Sequence, residues 1–284
     1  MRATLIFCLV ILLAVSGIAL GFARIESQTP HPADVRSYVG FDRNQYPGDD
    51  ALPLLRKSFS FASYWLSPPP GEKTNSWIGK RSLMQSQGFG FLLLCQGRTS
   101  GQLPDKKDSI EAGLADARAA AAAARREGFP EGSVIFLDVE EGGRFFDSYH
   151  AYLQTWAENL RKEKFRPGIY CSGIVVDEGK GSKIISADDI RAHIGAPDVV
   201  YWVYNDACPP SPGCGVPQNP PAPSASGVAY ASVWQYVRSP REKKVARHCR
   251  GYASDGNCYA PGDAAHKWFL DENVATTSDP SAGR

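Results

Sequence analysis

The chain has 284 residues, of which 43% are apolar and 21% charged, and its 31 basic side chains nearly balance its 30 acidic ones. This composition is typical of a soluble globular protein. It excludes a disordered chain, a collagen, a multi-span membrane protein and a nucleic-acid-binding protein that relies on bulk positive charge.

The N-terminal segment, residues 1–23, is an uncharged apolar run behind a single basic residue, Arg2. It is typical of a cleaved export signal with a small-x-small cleavage site at 21–23, but its length also suits a retained membrane anchor, which needs about 20 residues. Both alternatives place the rest of the chain outside the cytosol, either secreted or in the periplasm or cell envelope. Residues 24–37 are polar, contain two prolines and are predicted to be a tether.

From residue 38 onwards, short apolar runs alternate with helix-length segments. Strands are predicted at 39–42, 61–66, 89–96, 134–140, 168–172, 199–206 and 232–237, with an eighth near 257–259. Helices are predicted at 50–57, 77–87, 148–164, 187–194 and 264–274, and a long third helix is predicted between a cap at Asp108 and a stop at Gly128. Strands that alternate with helices imply parallel pairing. We therefore predict an α/β fold, a TIM-like irregular barrel of five β/α units followed by three strands with loops, over residues 38–274, with a flexible tail at 275–284.

The part of the chain after residue 23 contains six cysteines, and an even number in an oxidising compartment favours disulfides. Four lie in loops rich in proline or glycine and are predicted to form two local disulfides, Cys208 with Cys214 and Cys249 with Cys258. Cys95 and Cys171 lie in apolar strand-like runs and are predicted to be buried free thiols.

Acidic residues follow several predicted strands, at the end of a barrel where functional groups collect. Asp138 and Glu140 are two residues apart and share one face of a buried strand. Burying two carboxylates there costs free energy unless they take part in chemistry or have hydrogen-bond or charged partners. Crowding also raises the pKa of one above that of the other, as an acid–base pair requires. The alternative is that they cap loops or pair with Arg144. Asp42 and Asp206 end the first and sixth strands, although each also suits a simple turn.

Aromatic side chains occupy similar positions. Six are predicted to bind substrate by stacking on sugar faces: Tyr64, Tyr170, Trp202, Tyr204, Trp234 and Tyr236. The alternative is that they belong to the hydrophobic core. Trp65 lies beside the first of them.

Other kinds of site have less support. The spacing of His248, Cys249, Cys258 and His266 fits no common zinc pattern, so no metal is predicted. There is no Gly-x-Ser-x-Gly elbow, phosphate loop or dinucleotide fingerprint, and no cofactor is predicted. Lysine and arginine are scattered, which argues against a nucleic-acid partner.

Four motifs occur in order at strand positions: Gly-Phe-Asp at 40–42, Phe-Leu-Asp-Val-Glu at 136–140, Pro-Gly-Ile-Tyr at 167–170 and Val-Trp-Gln-Tyr at 233–236. With these motifs the sequence resembles the family 25 glycoside hydrolases, which are lysozyme-type muramidases. It is more similar still to the related glycoside-hydrolase-like domain of unknown function 1906. The resemblance covers about residues 38–272.

The resemblance implies a flattened barrel with acids at the ends of strands one, four and six. Glu140 would be the general acid, Asp138 would orient the acetamido group of the substrate or tune Glu140, and Asp42 would support the site electrostatically. Asp206 matches the family pattern only approximately. The acid that the family places on the last strand is not evident in residues 257–262.

These observations predict an exported, monomeric glycoside hydrolase that cleaves β-1,4 bonds in peptidoglycan or a similar N-acetylated glycan. The first alternative is a non-catalytic envelope protein that binds glycan in the same cleft. The second is a surface scaffold that binds another protein through the loop at 207–230. Membrane contact is expected only through the N-terminal anchor, if it is retained.

Overall fold

The structure is a computed structural model, and it describes residues 37–194, 198–205, 218–237, 258–259 and 269–284. These residues lie in one compact unit that extends from Val35 to Arg284. Among them, no helix is both long and apolar enough to cross a membrane. The predicted signal or anchor at 1–23 lies outside the described residues.

The secondary structure alternates between strands and helices in the first two thirds of the unit. The described strands are β1 (Tyr38–Asp42), β2 (Phe61–Trp65), β3 (Gly90–Gln96), β4 (Val134–Asp138), β5 (Arg166–Ser172), β6 (Val175–Gly179), β7 (Ser182–Ile185), β8 (Val200–Tyr204), β9 (Ala231–Val237), β10 (Cys258–Tyr259) and β11 (Phe269–Ala275). The described α-helices are α1 (Leu52–Leu55), α2 (Arg81–Ser86), α3 (Lys106–Arg126), α4 (Asp147–Lys162) and α5 (Ser186–Ile194).

Eight strands close into a barrel. Seven of them are parallel, in the order β1, β2, β3, β4, β5, β8 and β9. Strand β11 closes the barrel by pairing antiparallel with both β9 and β1. This topology confirms the predicted α/β class and the irregular barrel of five β/α units followed by three strands. An unpredicted hairpin, β6–β7, lies between β5 and α5.

Side chains on the barrel strands alternate between the interior and the helix-covered exterior. On β4, Phe136 and Asp138 face the interior. Gly168 lies opposite Phe136 in the register of β4 and β5, and a Cβ at Gly168 would be 2.6 Å from the Phe136 ring. This interior position therefore requires glycine.

The long helix α3 begins three residues earlier than predicted. Asp105, not Asp108, is its N-cap, because the Asp105 carboxylate accepts a hydrogen bond from the Asp108 amide at 2.9 Å. Helix α3 packs closely on α4, where a Cβ at Gly113 would lie 2.6 Å from the Tyr152 carbonyl oxygen.

The last barrel strand lies further along the chain than predicted. The predicted strand at 257–259 corresponds only to β10, which pairs with β11 alone. The predicted helix at 264–274 is wrong, because residues 269–274 belong to β11. The acidic and amide side chains of β11 have low β propensity, but neighbouring strands satisfy them, so tertiary contacts override the local preference.

The predicted flexible tail at 275–284 is also wrong. Ser281 is fully buried, its hydroxyl oxygen accepts a hydrogen bond from the Leu93 amide at 2.9 Å, and its amide donates to the Phe91 carbonyl at 2.9 Å. Its carbonyl accepts from the Val134 amide at 2.8 Å. The pairing of β3 with β4 begins at Leu93, and the tail bonds to the backbone groups of both strands near that point. These backbone groups therefore have hydrogen-bond partners.

Candidate active site

Acidic side chains converge at one end of the barrel. Asp42 ends β1, Asp138 ends β4, and Glu140 follows two residues later. Asp271 lies near the start of β11, at the same end because that strand is antiparallel, and it pairs with Asp42 in the register. All four line one pocket of about 40 Å³, together with Asn44, Trp65, Leu94, Tyr170, Trp202 and Gln235.

The electrostatics of the pocket centre on Asp42. Its pKa is raised to about 8, mainly by burial and then by the negative charges of Asp271 and, more weakly, Glu140. Hydrogen bonds from the amides of Asn273 and Gln235 offset the rise only in part. Asp42 is therefore protonated at neutral pH.

Two side-chain amides hold the Asp42 carboxyl. Gln235 Nε2 and Asn273 Nδ2 donate to Asp42 Oδ2, at 2.9 and 2.7 Å. The oxygen of each amide is occupied by a fixed donor: the Tyr170 hydroxyl donates to Gln235 Oε1 at 2.8 Å, and Trp202 Nε1 donates to Asn273 Oδ1 at 2.8 Å. An indole N–H can only donate, so Trp202 fixes the Asn273 oxygen and turns its NH₂ group toward Asp42, and the Tyr170 hydroxyl orients Gln235 in the same way by donating to its oxygen. We call these five residues the Asp42 network.

The backbone around Asp138 and Glu140 is fixed by neighbouring strands. The Gly97 amide donates to the Asp138 carbonyl at 3.0 Å, and a Cβ at Gly97 would lie 2.3 Å from that oxygen. The Val139 amide donates to the Tyr170 carbonyl at 2.9 Å, while the Tyr204 hydroxyl donates to the Glu140 carbonyl at 3.1 Å. The Asp138 side chain is buried and Glu140 is exposed, so Glu140 is the acid at the pocket mouth that solvent or a substrate reaches directly.

The structure brings together most of the predicted acids and half of the predicted aromatics. Asp42, Asp138 and Glu140 meet in the pocket, whereas Asp206 lies outside the described residues. Three predicted aromatics belong to the site: Tyr170 and Trp202 line the pocket, and Tyr204 contacts Tyr170 with ring centroids 5.3 Å apart.

The other three predicted aromatics, Tyr64, Trp234 and Tyr236, do not line the pocket, because they occupy the opposite strand face. Tyr64 is fully buried against exterior rings such as Phe129. Trp234 Nε1 donates to the Asn205 carbonyl at 2.8 Å, and the Tyr236 hydroxyl donates to the Glu272 carboxylate at 2.7 Å. None of the three rings lines the pocket, and their role in substrate binding stays a prediction.

The members of the site that the sequence did not assign include Trp65, Gln235, Asp271 and Asn273. The signal that identifies them is strand alternation, because every second side chain of a strand points to the same face. Asp271 and Asn273 are two residues apart on β11, as Asp138 and Glu140 are after β4, so they share the interior face. Glu272 between them faces outward, where burial raises its pKa to about 7.

The cysteine predictions are tested only in part. Cys95 and Cys171 are buried free thiols, as predicted. Burial raises the pKa of both thiols well above the ordinary value. Cys208, Cys214 and Cys249 lie outside the described residues, and no side-chain contact of Cys258 is described.

Comparison with known proteins gives a family match for the middle of the chain. Residues 73–211 match the family model of the Rv2525c-like, glycoside hydrolase-like domain. No curated protein matches the sequence.

Solved structures resemble the barrel. An uncharacterized protein from B. stearothermophilus is 20% identical with a TM-score of 0.52, and the alignment covers 84% of this chain and 95% of that protein. The Tat-secreted protein Rv2525c from Mycobacterium tuberculosis is 14% identical with a TM-score of 0.49, covering 83% and 94%. A family 25 glycosyl hydrolase from Bacillus anthracis is 14% identical with a TM-score of 0.46, covering 86% and 91%. The family match over residues 73–211 confirms the predicted resemblance to glycoside hydrolase-like domains. The likeness to the B. stearothermophilus structure supports the fold.

Proposed function

We propose that this protein is a glycoside hydrolase that cleaves β-1,4 bonds in peptidoglycan or a similar N-acetylated glycan. The observation that carries the proposal is the convergence of Asp42, Asp138, Glu140 and Asp271 in one pocket at the functional end of the barrel. A glycosidase needs a protonated carboxyl beside the leaving oxygen and a second group that stabilises an oxocarbenium-like transition state. A cluster of acids in which one carboxyl, that of Asp42, has a raised pKa is the arrangement that provides both.

The roles follow from exposure and charge. Glu140, at the mouth, protonates the leaving glycosidic oxygen. Asp138, buried beside it, orients the substrate acetamido group or tunes Glu140. Asp42 and Asp271 hold one proton and one negative charge between them below the pocket, where the charge stabilises positive charge on the sugar ring. The predicted role of Asp206 on the sixth strand stays part of the proposal.

Burial within the pocket determines how a substrate binds. Asp138 is buried and Glu140 is exposed, so the sugar at the cleavage point lies across the mouth, above Glu140. Tyr170 and Trp202 are almost fully buried and form the floor below the sugar. They act through hydrogen bonds and pocket shape more than by stacking on an exposed sugar face.

The cellular setting is part of the same proposal. The uncharged run at 1–23 supports export, with the segment either cleaved as a signal or retained as an anchor. The protein would then act outside the cytosol, secreted or in the cell envelope, as a monomer whose partner is a polysaccharide. The near balance of basic and acidic side chains argues against attraction of the whole protein to an anionic cell wall. Binding of glycan therefore depends on local contacts in the pocket.

The test compares Glu140→Gln with the wild type on peptidoglycan and on other N-acetylated β-1,4 glycans. The proposal predicts that the substitution abolishes release of reducing ends while glycan binding survives. Glu141→Gln is the matched control, because the neighbouring Glu141 carboxylate is engaged by the Ser100 amide and hydroxyl, at 2.7 and 2.9 Å, instead of lining the pocket. Equal release by wild type and Glu140→Gln would contradict the assignment.

Glu140 is the one exposed acid among the four that line the pocket, so the site also suits a second candidate, a non-catalytic envelope protein that binds glycan at the same mouth. The same experiment separates the two. Binding without release of reducing ends by the wild type supports this second candidate, and release that depends on Glu140 rejects it.

A further inference from the structure

A second cluster of titratable side chains lies outside the pocket, between two helices. His150 belongs to the first turn of α4, and Asp189 and His193 lie four residues apart on one face of α5. One ligand atom from each of the three residues lies within 4.8 Å of those of the other two. A helical pair at this spacing, completed by a side chain from another helix, is a common way to build a divalent metal site.

The Asp189 carboxylate lies between the two imidazoles. His150 Nε2 is 2.8 Å from Asp189 Oδ2, and His193 Nδ1 is 3.6 Å from Asp189 Oδ1. The ligand atoms of the three residues lie within 4.8 Å of one another, whereas neighbouring ligand atoms in a tetrahedral zinc site are about 3.3 Å apart. A bound ion therefore requires the side chains to close in, and any imidazole nitrogen that binds it must first release its proton.

Acceptor atoms in the cluster lack hydrogen-bond donors within the described part of the chain. His150 Nδ1 and Asp189 Oδ1 are both buried, and neither has a hydrogen-bond partner there. His193 Nδ1 donates to the Asp189 carbonyl at 2.8 Å, which leaves Nε2 as its acceptor nitrogen. A backbone carbonyl or a carboxylate that takes the other N–H is the usual partner of a metal-binding imidazole. A buried acceptor without a donor is typical of a position where a cation binds to its lone pair.

The surroundings allow an ion to enter. The His150 and His193 rings are parallel with centroids 3.7 Å apart, and the His193 side chain is 44% exposed, so it can turn out of the stack toward an ion. Arg144 lies 3.6 Å from Asp189, but its guanidinium is held by two bonds to Glu178, at 2.9 and 2.8 Å. Asp189, Glu178 and Arg144 together carry one net negative charge, which favours a cation.

We propose that His150, Asp189 and His193 bind a zinc-class divalent cation, with water completing the coordination. This departs from the sequence-based expectation of no metal. The ion would join α4 to α5 beside the loop that follows Glu140. Asp189 Oδ2 also accepts from the Phe145 amide of that loop at 3.0 Å, so bound metal would stiffen the segment that carries Glu140.

The test is a zinc titration of the tag-free full chain, first stripped with a chelator, in competition with a chromophoric chelator at neutral pH. The wild type should bind one Zn²⁺ at the cluster, and Co²⁺ should give the visible absorption of a low-coordinate site with nitrogen ligands. His193→Ala should weaken binding at least tenfold, because loss of even an outer partner of a ligand costs about 10- to 100-fold. Since His193 is half-exposed, circular dichroism should show an unchanged fold.

His248→Ala is the matched control, since that histidine belongs to the alternative set with Cys249, Cys258 and His266. It should bind zinc as the wild type does. Absence of zinc binding by the wild type would overturn the proposal. So would equal affinity of His193→Ala and wild type, or loss of binding in His248→Ala alone.

Discussion

Asp42→Asn should make the stability of the protein less dependent on pH. The pKa of Asp42 is raised from 3.8 to about 8 in the folded state. Between these values the folded state holds a proton that the unfolded chain releases, so stability falls as pH rises from about 4 to about 8 and is constant above that. Asparagine resembles the protonated carboxyl, and its oxygen still accepts from the Gln235 and Asn273 amides. The substitution therefore removes this dependence.

The magnitude follows from the same pKa values. One pKa unit is worth about 1.4 kcal/mol, so the wild type should lose at most about 3 kcal/mol between pH 5.5 and pH 9 through Asp42. Because the Asp42 residue keeps some solvent exposure, which screens its charge, about 2 kcal/mol is the expected loss. For a domain of this size, that corresponds to a fall of roughly 4–8 °C in Tm that Asp42→Asn does not show.

The assay is thermal unfolding by circular dichroism at pH 5.5, 7 and 9. Glu272→Gln is the matched control, because Glu272 also has a raised pKa, about 7, but faces outward against Tyr236. It should remove only the loss that Glu272 itself contributes below pH 7 and leave the whole Asp42-dependent loss up to pH 8. If the Tm difference between Asp42→Asn and wild type is the same at pH 5.5 and pH 9, the assignment of a protonated Asp42 is refuted.

Three further substitutions test the packing of the site and of the barrel. Gly97→Ala should destabilise the fold by about 1–3 kcal/mol and displace the Asp138 carbonyl, because the new Cβ would overlap it; thermal unfolding measures the cost, and an unchanged Tm would contradict the close approach. Tyr170→Phe should cost about 1–3 kcal/mol in urea unfolding, since it leaves the Gln235 oxygen buried without its donor. Ser281→Ala should cost a similar amount by removing a buried acceptor of a strand amide, whereas a truly flexible tail would show no change.

The barrel could be predicted because its strands and helices carry strong periodic signals. The nearly continuous apolar runs of β3 and β4 and the inward face of α4 are buried as expected, since parallel strands covered by helices have two buried faces. Strand β11 could not be predicted from its own residues. Its Asn273 is satisfied in a strand because Asp42 on the adjacent strand β1 and Trp202 on β8 supply its hydrogen-bond partners.

The site was predictable in its acids and less so in its aromatic residues. Asp138 and Glu140 were found by their spacing on one strand, which is a local signal. Trp234 and Tyr236 were predicted by residue type alone, although the interior residue of that strand is Gln235 between them. The partners of an interior amide come from other strands, so the Asp42 network is visible only once the barrel is closed.

The central claim is that the pocket catalyses hydrolysis, and isotope incorporation tests it most directly. Peptidoglycan is digested in ¹⁸O-labelled water by wild type and by Glu140→Gln, and the soluble fragments are analysed by mass spectrometry. The account predicts wild-type fragments with one ¹⁸O at each new reducing end, and no such fragments from Glu140→Gln. Absence of labelled fragments from the wild type, or the same labelled fragments from both proteins, would contradict it.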